Sequence, residues 1–496
     1  MLRFNLKTAG KYSPANHLFP GTLGLFSLTN GSIQTSYYPH PIEQINVGVN
    51  CSDKSGDLHS LQVQVSPAGF YFEGKPFQFK GDFKNFDDLN YDVSLKGELD
   101  LGKIYKVFAV KDVDINGFIR ADATFKGKQS DATNRRFSLL RNAGTMDFKE
   151  LSVSYELFPK PFIIHRGHFR FDQDKMWFET FQADYGHSDF QLKGYVTNVI
   201  NYVLAKNATL QATFSLKSAN IDLNEFAVNA SSSSSKATAD TSRQTGVIMI
   251  PPDLDLSINA EAVKVLYTDV TMNQFAGGVK IRQAGIELTE TGFELIGCKV
   301  VMSGKYNTIS ASRAAFDYHL KATDFDVQRA YKEIKLFHDL ASSAANASGF
   351  VSIDYSLSGK LNEKMYPIYP SLAGGGRLSV KQLKFKNWKL FNTVSSQSGK
   401  SELTDPDLSK IDVKSTIKNN IINIEKMKFK TSGFRIRFEG KTSFENKINF
   451  KMRIGLPPLG IIGIPLRITG TSDNPKIRMG SSDSDPLGEK EDDSGQ

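Results

Sequence analysis

Two histidines stand close together in His165-Arg166-Gly167-His168, and nowhere else in this 496-residue chain are imidazoles so near in sequence. Such a pair could begin a metal centre, but zinc takes at least three protein ligands, and no third is signposted nearby. The pair therefore reads as strand histidines satisfied by their neighbours. Asp87-Asp88 and Asp253-Leu254-Asp255 offer the paired carboxylates that acid/base catalysis uses. Both sit where turns pass into strands, a common place for aspartate. Cys51 and Cys298 are far apart, with no Cys-x-x-Cys, and read as ordinary buried thiols. No phosphate-cradling Gly-x-x-x-x-Gly-Lys-Ser/Thr loop, nucleophile elbow or zinc-protease helix occurs. The expectation is no enzyme, no metal and no cofactor.

The elements that would position any site are more informative. Phe77-Gln78-Phe79-Lys80-Gly81 returns as Gln191-Leu192-Lys193-Gly194, Val301-Met302-Ser303-Gly304 and Arg437-Phe438-Glu439-Gly440. Each phrase brings an alternating strand to a glycine, at spacings of 113, 110 and 136 residues. After three of these glycines a second phrase recurs: Leu95-Lys96 to Leu99-Asp100-Leu101, Leu216-Lys217 to Ile221-Asp222-Leu223, and Leu320-Lys321 to Phe325-Asp326-Val327. Repetition of this kind points to a stack of like modules. The spacings exceed those of common solenoids, so each module holds several strands.

Period-two alternation dominates the chain, as in Val351–Leu357 and Ile448–Ile454, with turn signals such as Asn30-Gly31 and Ser432-Gly433 between runs. Met1–Leu6 already looks like the end of a strand. Helical spacing is best over Asp326–Ala345, with Ala330, Ile334, Phe337 and Leu340 on one face. Short helical turns are expected after Asp100-Leu101 and Asp222-Leu223. The Ser-rich stretch Ala230–Gly246 reads as a flexible insertion, and Ser395–Asp405 looks similar. Gly374-Gly375-Gly376 reads as a bend or bulge within a strand.

Composition narrows the class. Apolar residues make up 40% and charged residues 23%, as in an ordinary folded chain. Phe outnumbers Trp by 36 to 2, which suits a surface with no polar atom to satisfy. The net charge of +8 gathers locally at Lys381, Lys384, Lys386 and Lys389, while Asp483, Asp485, Glu489, Glu491, Asp492 and Asp493 form an acidic tail. The lysines alternate with apolar residues and read as a solvated face, without nucleic acid as partner. No apolar run reaches the ~20 residues of a membrane-spanning helix. Ile454–Leu466 comes nearest, and its prolines make it strand and turn.

A sheet with one greasy face must cover that face, and helical sequence is too sparse to do it everywhere. The expected fold is mostly β: an elongated, repeating antiparallel β-groove, a half-pipe of roughly 30 strands ~4.8 Å apart with a few short helices. The expected division is 1–110, 111–229 and 247–345 as groove repeats, the last ending in a helix. An insertion occupies 230–246, a C-terminal β region 346–480 and a disordered tail 481–496. Alternation nominates Phe77, Phe79, Phe190, Leu192, Val300, Met302, Ile436 and Phe438 as groove lining.

The last third carries a family resemblance. Ser358-Gly359-Lys360-Leu361 through Met365-Tyr366-Pro367 leads into Ser371-Leu372-Ala373-Gly374-Gly375-Gly376-Arg377-Leu378, and the folded part ends on Pro465-Leu466-Arg467-Ile468-Thr469-Gly470-Thr471 through Pro475-Lys476-Ile477. Both passages, over about 349–478, resemble the C-terminal region of the AsmA family of bacterial envelope proteins, which is related to the TamB-type bridge-like lipid transfer proteins. The resemblance implies a long β-groove that moves phospholipid from inner to outer membrane. It also implies a periplasmic location, an N-terminal membrane anchor and partner proteins in either membrane. This sequence opens without such an anchor, and the reading favours a truncated chain over an anchor supplied by a partner. Two other functions compete. One is a structural or adhesive β-rich envelope protein with a dry core. The other, an outer-membrane barrel, fits poorly with the acidic tail, the prolines and the helix.

Overall fold

The computed structural model describes residues 1–13, 19–103, 116–134, 136–154, 160–199, 202, 208–227, 246–340, 342–457 and 460–480. The Ser-rich insertion, except Gly246, and the acidic tail lie outside them. Among the described residues the protein is mostly β, with 25 strands of antiparallel sheet that do not close into a barrel. Contacts divide the chain into two compact units. The first is Met1–Ala219 with Pro251–Asn259 and Lys280–Gln283; the second is Asn220–Ile250 with Ala260–Val279 and Ala284–Gln496.

In the first unit the strands run β1 (Leu2–Ala9), β2 (Gly21–Thr35), β3 (Tyr38–Asp53), β4 (Gln62–Phe72), β5 (Lys75–Lys84), β6 (Asn90–Asp100), β7 (Phe118–Lys128), β8 (Ala143–Val153), β9 (Phe162–Asp172), β10 (Lys175–Tyr185), β11 (Ser188–Thr197) and β12 (Leu210–Asp222). After β13 (Leu254–Tyr267) and β14 (Val270–Arg282) come β15 (Gly285–Leu295), β16 (Cys298–Ser310), β17 (Arg313–Asp326), β18 (Ala347–Leu361), β19 (Ala373–Phe385), β20 (Asp407–Lys418), β21 (Ile421–Thr431), β22 (Phe434–Ser443), β23 (Lys447–Gly455), β24 (Gly463–Thr471) and β25 (Asn474–Met479). From β1 to β12, and again from β15 to β25, each strand pairs antiparallel with the next in sequence. Short loops favour this meander. Among the described residues the strands number fewer than the thirty expected, and several run to 13–16 residues. β1 is a full strand beginning at Leu2, exposed along its whole length.

The recurring glycines sit mid-strand, and their partners explain them. Gly194 lies opposite Phe214, Gly304 opposite Tyr318, and Gly440 opposite Phe450. A Cβ on Gly81 would meet the rings of Phe83 at 2.7 Å and Phe79 at 3.2 Å. In the last three repeats a residue without a side chain therefore faces an aromatic, a recognised device for holding strand register, whereas Gly81 faces Val65 and Val93 and is covered by rings of its own strand. The same logic corrects the reading of Gly374–Gly376. These three lie in unbroken register with β18 and β20, not in a bulge. A Cβ at Gly376 would strike the Asp354 carbonyl and the Tyr355 ring, so close approach, not bending, requires glycine there.

The second recurring phrase is a strand running into an aspartate cap. Asp100 accepts from the Lys103 amide at 3.1 Å, with residues 101–103 helical. Asp222 caps the 3-10 turn Leu223–Phe226, and Asp326 accepts from the Gln328 and Arg329 amides, both at 3.0 Å. The helix after Asp326 is not continuous. It runs Val327–Glu333, breaks at Ile334 where the backbone turns extended, resumes over Lys335–Leu340 and ends in the 3-10 turn Ser342–Asn346. Ala330 and Ile334 are buried, as the apolar stripe requires. Asp326→Ala is expected to cost about 1 kcal/mol, the worth of an N-cap, measured as a lowered urea midpoint at unchanged slope.

The stretch Ser395–Asp405, expected to be mobile, is instead built into the second unit. Lys389–Ser398 is a helix closed by Gly399 in the left-handed region, and Ser401–Leu403 is a 3-10 turn. Val394 and Leu403 are each 1% exposed. The serine content conceals Leu390, Phe391, Val394 and Leu403, which form the buried side of an amphipathic segment.

Candidate functional site

Ladder register turns the alternating strands of the first unit into rows. Phe70, Phe77, Gly97, Ala121, Met146, Phe169, Phe178, Gly194 and Phe214 are successive partners across β4 to β12. One step along each strand on the same face, Ala68, Phe79, Leu95, Ala123, Gly144, Phe171, Met176, Val196 and Ala212 form a second row over the same strands. No position in either row carries a charge or a hydroxyl. Ring contacts knit the rows, with Phe169–Phe178 centroids 4.6 Å apart and Phe178–Phe214 4.9 Å apart.

The rows are only partly sealed. Ala121, Ala123, Phe169, Val196, Ala212 and Phe214 are buried, while Phe70, Phe77, Phe79, Met146, Phe171 and Phe178 keep part of their surface open. Nine strands at ~4.8 Å spacing carry each row over roughly 40 Å, against ~15 Å for one leaflet of a bilayer's hydrocarbon core.

The second unit carries rows of the same kind. Phe293, Val300, Ala322, Ile353, Leu378 and Val413 pair in succession across β15 to β20. Here, however, a lid is present. The helix Lys389–Ser398 packs against β25, and its Leu390, Phe391 and Val394 join one buried cluster with Ile436, Phe438, Ile454 and Ile468.

The nominated lining residues therefore divide. Phe77 and Phe79 stand in the two rows of the first unit. Leu192 faces Leu216, and Phe190 faces Ala183, both on the same apolar side. Met302, half-buried, lies opposite Leu320 in the second unit. Val300 at 1%, Ile436 at 3% and Phe438 at 8% exposure belong to a filled core with no open surface to offer. Alternation told which face each residue takes and could not tell which faces are covered. The signal that would have separated them is the run Leu390-Phe391-x-x-Val394 followed by Gly399, a helix with its C-cap.

The opposite face is a ladder of charge. Glu98 binds Lys75 and Arg120, each at 2.8 Å, and these partners, Lys75 first, hold its carboxyl below the usual range. Lys126 meets Asp92 at 2.7 Å. The lysines of the basic stretch belong to the same pattern: Lys381 pairs with Asp324, and Lys384 with Asp407 at 3.7 Å. Exposed pairs of this type contribute little stability each, but they keep this face wetted.

The histidine pair sits on that charged face. His165 reaches Asp184 at 2.8 Å and Glu150 at 3.1 Å, one carboxylate on each ring nitrogen, and His168 meets Asp147 at 2.7 Å. The hydrogen bonds to Asp184 and then Glu150 raise the His165 pKa above the ordinary 6.5. Because the folded value is raised, this pairing stabilises the fold fully below the unfolded value and is lost as pH rises through the folded one. Imidazole NMR should place the His165 midpoint above 6.5, and Asp184→Asn should bring it back toward that value. Of the carboxylate pairs, Asp88 accepts from the Ser130 amide at 2.8 Å and pairs with Lys128, and Asp253 accepts from the Tyr202 hydroxyl at 2.7 Å. Both aspartates serve turns. Cys298 is buried and Cys51 half-buried, each a free thiol.

No protein-family model, curated protein or solved structure matches this chain. The apolar rows are thus the feature from which function must be argued. Among the described residues, no helix is long and apolar enough to cross a membrane.

Proposed function

We propose that this chain is a non-enzymatic protein of the AsmA type. It binds phospholipid acyl chains along the apolar face of β4 to β12 and shields them from water during passage between the two membranes of a bacterial envelope. The observation that carries the reading is the pair of nine-strand rows, free of charge and hydroxyl, most of whose bulky members stay partly open. Each methylene moved from water onto such a face gains about 0.8 kcal/mol, so a single acyl chain is held without any specific polar contact. Headgroups remain in water beside the face. A periplasmic location and an anchor in the inner membrane belong to the same proposal.

A second reading, a structural or adhesive protein with a dry core, is favoured by one observation. The lidded cluster of the second unit is packed like an ordinary interior. The two readings separate on gently purified protein. Native mass spectrometry with lipid extraction is expected to find bound phospholipid. Protein that is folded and free of lipid, even after incubation with phospholipid vesicles, would favour the structural reading instead.

A further inference from the structure

We propose that a line of tyrosine hydroxyls on the apolar face of the second unit receives the ester carbonyls of a diacyl phospholipid, with Tyr267 and Tyr318 as the donors. The inference rests on the acyl-chain reading and adds to it the part of the lipid that hydrogen bonds can recognise.

Strand register places the line. Tyr318 on β17 lies opposite Gly304, two residues before Tyr306 on β16. Tyr355 on β18 lies opposite Leu320, two residues after Tyr318. Residues two apart share a face, so Tyr306, Tyr318 and Tyr355 step diagonally across three neighbouring strands, a separation that aromatic side chains span. Tyr267, at the end of β13, adjoins them: burial first, and then the nearby Tyr267 hydroxyl, raise the Tyr306 pKa. Glycines make room for the rings. A Cβ on Gly304 would stand 2.8 Å from that of Tyr318, and one on Gly376 2.6 Å from the Tyr355 ring. That ring reaches over Gly376 to share a hydrogen bond with Ser415 at 3.0 Å. The rows of the first unit carry no hydroxyl, and this face carries several.

The members of the line are not equivalent. Tyr306 donates to the Ile248 carbonyl at 2.9 Å, and Tyr355 is engaged by Ser415. Among the described residues, the hydroxyls of Tyr267 and Tyr318 have no hydrogen-bond partner. Both side chains are half-buried, and burial pushes each pKa up to about 12, so both stay neutral donors near pH 7. A donor drawn out of water without an acceptor costs free energy, which an acceptor on a ligand would recover. The surroundings select the acceptor. Tyr318 is flanked by Gly304 and Leu357, and Tyr355 by Leu320 and Gly376, none of them charged. A phosphate or a free carboxylate draws arginine or lysine, and these register positions supply neither. A neutral acceptor joined directly to hydrocarbon fits instead, and a diacyl phospholipid has two, its ester carbonyls.

The test offers the full chain vesicles of equal parts diester and diether phosphatidylcholine with the same hydrocarbon chains. Mass spectrometry then compares the two lipids extracted from the re-isolated protein. The wild type should carry the diester in about tenfold excess, since two hydrogen bonds of modest net worth together reach that factor. Y267F/Y318F removes hydroxyls that bond nothing within the fold, so circular dichroism should be unchanged while the excess disappears. Y355F, whose hydroxyl Ser415 already engages, should keep the excess. Equal uptake of the two lipids by the wild type would overturn the inference, as would an excess that Y267F/Y318F retains or that Y355F removes just as fully. The acyl-chain reading survives each of those results. Uptake of neither lipid would sink that reading and this inference with it.

Discussion

Phe79→Asp is expected to reduce co-purified phospholipid about tenfold while the protein stays folded. Phe79 lies between Ala68 and Leu95 in a row whose members on either side are all apolar. A carboxylate there keeps its water shell and interrupts contact with roughly two methylenes, worth ~0.8 kcal/mol each, which together approach a factor of ten. Leu192→Asp should act in the same direction, because that position is half-buried on the same apolar side. Ile436→Asp provides the contrast. At 3% exposure beneath the Lys389–Ser398 helix it would bury a charge without a partner, so it should unfold the second unit outright. Lipid extraction and circular dichroism on the same preparations separate the two effects. If the Phe79 and Leu192 variants both remain folded and carry wild-type lipid, the acyl-chain reading fails.

A large effect on stability from a single methyl group is expected at Gly194. Its φ is +148°, a region that L side chains rarely adopt, and an added Cβ would lie 2.0 Å from the Thr213 carbonyl oxygen. That oxygen belongs to the backbone of β12 and cannot swing aside, so β11 and β12 would have to separate where Phe214 covers the glycine. Gly194→Ala should therefore cost roughly 2–4 kcal/mol. Gly292→Ala in β15 is the matched control. Nothing lies within 4 Å of its added Cβ, and its backbone is not in the left-handed region. That change should be neutral, or stabilising by up to about 1 kcal/mol, because alanine restricts the unfolded chain. Equal costs at the two sites in urea melts would show that the recurring glycine has no special role.

These two experiments bear on features of different legibility. The Phe-x-Phe-Lys-Gly phrase identified Gly194 and Gly440 as special, but the reason lay on the next strand, in Phe214 and Phe450. A pairing partner some ten to twenty residues away leaves no local mark on the glycine itself. The Leu-Asp-Leu phrase was readable in full, since a strand end, a capping carboxylate and the first helical turn are neighbours in sequence. Asp100, Asp222 and Asp326 all perform as that local chemistry demands. Ser395–Asp405 was misread because the polar side of an amphipathic helix looks like a linker until something packs on its other side.

The sequence by itself determined the strand-rich class, the alternation that separates an apolar face from a charged one, and the places where aspartate turns strand into helix. These depend on periodicity and on hydrogen bonds between near neighbours, so a single chain of letters contains them. Only the tertiary structure decided which apolar residues remain open. Phe79 and Phe438 occupy equivalent places in the repeated phrase and have the same side chain. One keeps surface in the first unit, and the other is sealed with Phe391 and Val394 in the second. Burial is a property of what covers a residue, and the covering helix is encoded some forty positions away from the strand it protects.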